Sequence, residues 1–311
     1  MTLEISIVIP TQRRPDRLLM AARSVMNQAG VDPALLELVV VDNDPAGSAR
    51  AAVAKLMAEA AFPVSYIHAA KPGVATARNA GVAAAKGRYI AFLDDDEEAP
   101  AGWLAALIGA QSEFGADVVF GAVRARIPAS VANHRDYLET FFGRVGPAEA
   151  GVIDHAYGCG NSLIRKSLLA GPEPFSVARD RIGGEDDLLF AQLAKAGARF
   201  AWSPQGWVWE EAVPDRLTLA YTLKRAFAYG QGPGYSALHA SPPRLDKAAF
   251  WMGVGMVQML IHGAEAALKF ITKAPDRAFA IDRAARGLGK VLWFPPFKVA
   301  FYGMPEAPKP L

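Results

Sequence analysis

Two features of the sequence predict an α/β fold built on a mostly parallel sheet flanked by helices. Short β-branched apolar runs alternate with segments whose apolar residues recur at helical spacing. Polar and acidic residues gather directly after those runs and are absent inside them, as at the carboxyl edge of a parallel sheet.

The elements follow in order. Residues 4–10 (EISIVIP) read as a buried strand. Pro15 and Asp16 open a helix with Leu18, Leu19, Ala22, Val25 and Met26 along one side, ending near Gly30. Residues 36–41 (LELVVV) form a second strand, 48–61 a helix, 64–67 a third strand, and 74–86 an alanine-rich helix stopped by Gly87. Residues 88–93 form the fourth strand and 103–114 a helix. Beyond them, 117–127 predict one or two strands and 135–146 a helix. In residues 155–164 (HAYGCGNSLI), Gly158 and Gly160 predict a turn where backbone closely approaches a ligand. Residues 183–187 (GGEDD) open a helix carrying Leu189 and Leu193, with Gly197 as its stop.

Composition narrows the function. Of 311 residues, 52% are hydrophobic, ample for a packed core, and the net charge of +2 makes no electrostatic demand for nucleic acid. One cysteine, Cys159, excludes an intrachain disulfide and a multi-cysteine zinc site. The first residues carry no secretory signal pattern, so a cytoplasmic location is expected. The longest apolar stretch, residues 248–264, has 17 residues with Gln258 and His262 among them, short of the ~20 a membrane span needs. From residue 244 onward, ten Lys/Arg (244, 247, 269, 273, 277, 283, 286, 290, 298, 309) face five Asp/Glu (246, 265, 276, 282, 306). Apolar segments with a basic excess suit either a helical subdomain packed on the core or an element peripheral to the inner face of the cell membrane.

Residues 92–100 (FLDDDEEAP) place five acids in a row after the fourth strand. Two carboxylates one residue apart at a strand end can hold one hard divalent cation, Mg²⁺ or Mn²⁺, while a phosphate fills other positions. A solvated turn capping the next helix would look the same in isolation.

The neighbouring motifs separate these readings. Together, ISIVIPTQRRPDRL, LELVVVDND, KPGVATARNAGVAAAKGRYIAFLDDDEEAP and GGEDDLLFAQLAKAGARFAWSP resemble family 2 glycosyltransferases of the GT-A (Rossmann-like) fold, over residues 5–230. Residues 208–232 further resemble the tail of bacterial enzymes that build exopolysaccharide or lipid-linked oligosaccharide. The resemblance implies a GT-A domain over residues 1–232, with a nucleotide-sugar half to about residue 100 and an acceptor half after it. A helical extension follows over residues 233–311. It implies an inverting enzyme that moves a sugar from a nucleotide sugar, in most relatives a UDP-sugar, to a hydroxyl of a glycan or lipid-linked acceptor, assisted by Mn²⁺ or Mg²⁺. Thr11 and Arg13 would line the nucleotide pocket, Asp42 would bond the base, and Arg78 would contact the nucleotide or its diphosphate. Asp94 would face the ribose, Asp96 would hold the metal, and Asp95 could serve either. Asp186 would be the general base, Glu185 beside it would bind substrate, and Asn161 would bind substrate from the acceptor-side segment.

Other residues have plainer readings. Glu97 and Glu98 read as ordinary polar residues leading into the next helix, and Cys159 as a small buried filler. Trp202, Trp207 and Trp209 suit core packing or a sugar face, and Glu210 and Glu211 lie where an acceptor could approach. Two rival classes remain: a non-catalytic nucleotide-sugar-binding scaffold and a phosphatase built on Asp-x-Asp. In the latter, Glu98 replaces the Thr or Val such a motif requires, and three strands precede it. A dinucleotide oxidoreductase is disfavoured because Thr11-Gln12-Arg13, with no glycine-rich turn, follows the first strand.

Overall fold

The computed structural model describes residues 3–180, 183–240 and 242–299. Lys309 and Glu306 of the C-terminal charge count lie outside them. The elements are β1 (Ile5–Thr11), α1 (Pro15–Met26), β2 (Leu36–Asp42), α2 (Arg50–Glu59), β3 (Val64–His68), α3 (Val74–Ala84), β4 (Tyr89–Phe92), β5 (Glu97–Glu98) and α4 (Trp103–Phe114). Then come β6 (Val118–Arg126), α5 (Arg135–Phe142), β7 (Gly151–Ile153), β8 (Ser162–Arg165), α6 (Glu185–Lys195), β9 (Phe200–Glu211), α7 (Leu219–Leu238), α8 (Leu245–Ile271) and α9 (Arg277–Val291).

The strands form one mixed sheet in the order β3-β2-β1-β4-β8-β6-β9-β5, with β7 pairing β9. β3, β2, β1 and β4 run parallel, and β8 joins β4 antiparallel. From β1 the chain moves outward through β2 and β3, then returns to β4 on β1's other side. That reversal opens a crevice at the carboxyl ends of β1 and β4, where α/β sheets bind ligands.

Both faces of the sheet are covered, which is why β1 and β2 are continuous apolar runs. Ile7, Ile9, Leu38 and Val40 pack beneath Leu18, Val25, Trp103 and Leu107 of α1 and α4. Their alternates Val8, Val39 and Val41 pack on the other face with Ala77, Phe92, Phe120 and Phe190. Trp202 is fully buried in that second layer, with its indole N–H donating to the Pro147 carbonyl at 2.8 Å, so its role is packing.

The chain divides into two compact units, residues 1–125 with 143–211 and residues 126–142 with 212–311. The second unit is helical. Its α7, α8 and α9 pack on one another, and Tyr137 of α5 donates to Asp282 of α9 at 3.0 Å. One helix among the described residues, α8, is long and apolar enough to cross a membrane by length and composition alone. Its 27 residues exceed the 17-residue apolar stretch because the helix continues through Asp246, Lys247, Glu265 and Lys269 at its two ends.

Asn161, just before β8, ties the first unit together. Its side-chain carbonyl accepts from the Trp103 indole at 2.8 Å, and its amide donates to the carbonyls of Ala122 (2.9 Å) and Gly206 (2.8 Å). α4, β6, β8 and β9 therefore meet at one buried amide. Asn161→Ala leaves all three partners unsatisfied, at about 1–3 kcal/mol each. Urea unfolding should show at least ~3 kcal/mol lost with an unchanged denaturant slope. A loss below ~1 kcal/mol would show that another group replaces the amide.

Candidate active site

The residues expected to carry chemistry converge on the crevice at the carboxyl ends of β1, β2 and β4. The five consecutive acids take different surroundings there. Asp95 turns inward, accepting from the Thr11 hydroxyl at 2.7 Å and from Arg14 at 3.2 Å. Asp94 and Asp96 remain half-exposed. Asp96 is paired with Arg14 at 3.0 Å and Arg17 at 3.8 Å.

Glu97 departs from the sequence expectation. It is fully buried, accepting from the Asp94 backbone N–H at 3.1 Å and from Arg144 at 3.2 Å. With Glu98 it forms β5, paired antiparallel to Glu210 and Trp209 of β9, and does not simply lead into α4. The pairing partner lies more than a hundred residues away, so local composition does not reveal it.

Burial, with like charge beside it, acts on these acids. Burial, opposed by the Thr11 hydrogen bond and reinforced by Asp96, raises Asp95 to about 6. Burial and neighbouring Asp94 raise both Asp96 and Glu97 above the ordinary carboxylate range. A cation at Asp96 would relieve that repulsion. Among the described residues no three His, Cys, Asp or Glu side chains form a ligand set. The carboxylate oxygens of Asp94 and Asp96 are of the hard type that Mg²⁺ and Mn²⁺ take as ligands.

At the end of β2, Asp42 is fully buried and both its oxygens are engaged. One accepts from the Asp44 N–H (3.1 Å), the other from Ala49 N–H (2.7 Å) and the Tyr66 hydroxyl (2.9 Å). Arg13 stands exposed in left-handed backbone (φ 58°) and pairs with Asp44 at 3.0 Å. Asn43 receives the Gly73 N–H at 2.7 Å and donates to the Ala69 and Lys71 carbonyls at 2.8 Å, fixing the loop into α3.

Arg78, on α3, is buried and pairs with Glu185 of α6 at 2.5 Å, and its second guanidinium nitrogen lies 3.5 Å from Asp94. The turn 158–160 lies close to carboxylates from two other segments. A Cβ on Gly160 would run into the Asp94 carboxylate, and one on Gly158 (φ 90°) would sit 3.5 Å from Asp186. Asp186 accepts from the Cys159 N–H at 3.2 Å and from the Asp187 N–H at 2.9 Å. The same short turn thus separates the acids after β4 from the acid at the start of α6. Burial pushes the Cys159 thiol up to about 12, which leaves it a neutral filler.

Four contributors lie outside the residues that the motifs single out. Arg14 and Arg17 counter Asp95 and Asp96, and the run of arginines in TQRRPDR is a legible sign of them. Arg144 lies among Glu97, Glu210, Asp94 and Asp186, in a segment with no motif. Asp180 caps α3 from 105 residues away, accepting from Ala75 N–H (2.8 Å) and the Thr76 hydroxyl (2.7 Å), and nothing local announces it. Asn161 lies apart from the crevice's open groups, its amide used as described.

Comparison with known proteins fits this geometry. Succinoglycan biosynthesis protein ExoM of Rhizobium meliloti (strain 1021) is 36% identical over 237 residues, 75% of each chain. Succinoglycan biosynthesis protein ExoO of the same organism is 27% identical over 65% of this chain and 58% of its own. Among solved structures, S. aureus TarS 1–349 in complex with UDP superposes with a TM-score of 0.52 at 17% identity, covering 93% of this chain and 90% of that one. That likeness shows the GT-A fold. Residues 6–171 match the profile of Glycosyl transferase family 2. With that match spanning the crevice from β1 to the strand after Asn161, the chain belongs to glycosyltransferase family 2.

Proposed function

We propose that the protein is an inverting hexosyltransferase that moves a sugar from a UDP-sugar to a hydroxyl of a glycan or lipid-linked acceptor in bacterial surface polysaccharide synthesis. The carrying observation is the 158–160 turn, with Asp94 against one side and Asp186 bonded to the other. An electrophile held by the first carboxylates would lie within reach of a base at the second. The succinoglycan relatives support the acceptor class, and the UDP bound by TarS supports the donor. A lipid-linked acceptor would place the reaction at the cytoplasmic face of the cell membrane.

Each residue has a defined task in this reading. Thr11, Asp95 and Arg13 shape the nucleotide pocket, and Asp94 faces the ribose. Asp42 meets the base only if a base N–H replaces one of its present donors, the Tyr66 hydroxyl being the exchangeable one. Arg78 reaches a diphosphate oxygen only on the side facing Asp94, because Glu185 holds the other. Asn161 acts on the acceptor side by holding the segment that carries the turn. Asp186 accepts the proton of the acceptor hydroxyl while that oxygen bonds to the anomeric carbon. The bond to the diphosphate breaks on the opposite face and its electrons leave with UDP. A divalent cation at Asp96 would supply neutralisation of charge on the departing diphosphate.

Two variants test the division of labour. Calorimetry should show UDP binding that Mn²⁺ strengthens; Asp96→Ala should lose that metal-dependent part by tenfold or more. Tight Mn²⁺–UDP binding by Asp96→Ala would overturn the metal role. Asp186→Ala should keep the binding, whereas UDP release from UDP-hexoses falls by about 10²–10⁴-fold, the usual worth of a general base. Undiminished release by Asp186→Ala removes it as the base, and binding without any turnover in the parent chain would favour the scaffold reading.

A further inference from the structure

α8 presents an unusual surface. Phe250, Met256, Val257, Leu260, Ile261, Leu268 and Ile271 are each more than half exposed. Ala249, Gly253, Ala264 and Ala267 fill the gaps between them and are exposed as well. These positions recur three and four apart, so they form one stripe along the helix. From Phe250 to Ile271 the stripe runs about 32 Å at 1.5 Å per residue without a charged side chain. Soluble surfaces rarely leave so long an apolar strip uncovered.

We propose that this face of α8 lies flat on an anionic lipid surface. The charges around it select that occupant. The acids of the region are already held: Asp246 by Arg244, Glu265 by Lys269 and His262, Asp276 by Lys269, and Asp282 by Arg286. Lys247 near one end of the stripe and Lys273 just past the other are exposed, and neither forms an ion pair among the described residues. An apolar band bracketed by lysines matches a bilayer whose headgroups are negative and whose acyl boundary is apolar. A second copy of the chain fits less well. Antiparallel pairing of two such faces sets Lys247 against Lys273 at both ends, and parallel pairing sets each lysine against itself.

α8 lies on the surface and does not span it. Gly255 and Gly287 let α8 and α9 approach so closely that a Cβ on either would meet the other helix's backbone. Lys290 of α9 donates to Gln258 of α8 at 2.8 Å. Inserting α8 across a bilayer would carry the Arg286 and Lys290 side chains of α9 into hydrocarbon, where charge is costly. With only the stripe immersed, α9 stays on the water side. The inference rests on α8 and its charges and is independent of the transferase reading.

Sedimentation with vesicles of phosphatidylglycerol and phosphatidylcholine, compared with phosphatidylcholine alone, tests it on the full chain. The parent protein should partition onto the anionic vesicles. Leu260→Glu with Ile261→Glu should bind at least tenfold more weakly with an unchanged circular dichroism melt, since both residues are exposed. Lys247→Glu with Lys273→Glu should weaken binding severalfold. Absence of vesicle binding by the parent chain overturns the proposal, as does equal binding by the Leu260→Glu/Ile261→Glu variant. So does a concentration-dependent dimer that this variant dissolves without any vesicle binding.

Discussion

The crowding of carboxylates at the carboxyl edge of the sheet is the constraint around which the first unit is arranged. Asp94, Asp95, Asp96 and Glu97 follow one strand, Glu185 and Asp186 open a helix, and Glu210 closes another strand, all within one electrostatic neighbourhood. Such a cluster is destabilising unless cations share the space. The chain supplies arginines from separate elements: Arg14 and Arg17 at the start of α1, Arg78 within α3, and Arg144 between α5 and β7. Each pins an acid that lies outside its own element, so neutralisation also sets positions. A buried pair such as Arg78 with Glu185 gains little net stability, because desolvating both charges offsets their attraction. Its consequence is geometric, since removing either partner strands the other.

Much of this is legible in the sequence because strands ending at a ligand site leave an abrupt boundary there. LELVVV followed by Asp-Asn-Asp, and IAFL followed by three aspartates, mark where the crevice lies. The distribution of labour among adjacent acids is less legible. Asp95 points oppositely to Asp94 and Asp96, into the Thr11 hydroxyl, and only the neighbouring strand decides which direction is inward. Glu97 looks like a solvated linker residue because its burial depends on β9 and on Arg144, both remote in sequence. Asp180 and Asn43 are silent too: apart from the Thr76 hydroxyl, their partners are backbone amides and carbonyls, which carry no sequence signature.

The second unit shows the reverse case. Its helices are expected from the sequence, and α8 contains the apolar stretch, but composition alone does not say which side of the helix packs. The close approach at Gly255 and Gly287 assigns one side to α9 and leaves the opposite side bare. A 17-residue apolar run and a 27-residue helix describe the same segment; the difference is the charged turns at each end, which continue the helix while keeping its ends in water.

Asp186 and the loop after β2 are not independently placed. Asp180 binds the first turn of α3 and Glu185 binds Arg78 one turn further along, so the segment entering α6 is fastened to α3 at two points. Asp186 is the next residue after Glu185, and its carboxylate is further held by the Cys159 N–H. α3 in turn is fixed to the loop after β2 through Asn43 and Gly73. The loop after β2 is thereby linked to Asp186 through α3 by a short series of hydrogen bonds and one ion pair. If Asp186 is the base proposed above, such a frame matters, because a reacting pair misplaced by about 1 Å loses on the order of 10²-fold in rate. In the proposed reaction, the long-range cap of Asp180 and the buried Arg78–Glu185 pair therefore serve alignment, whatever else Arg78 contacts.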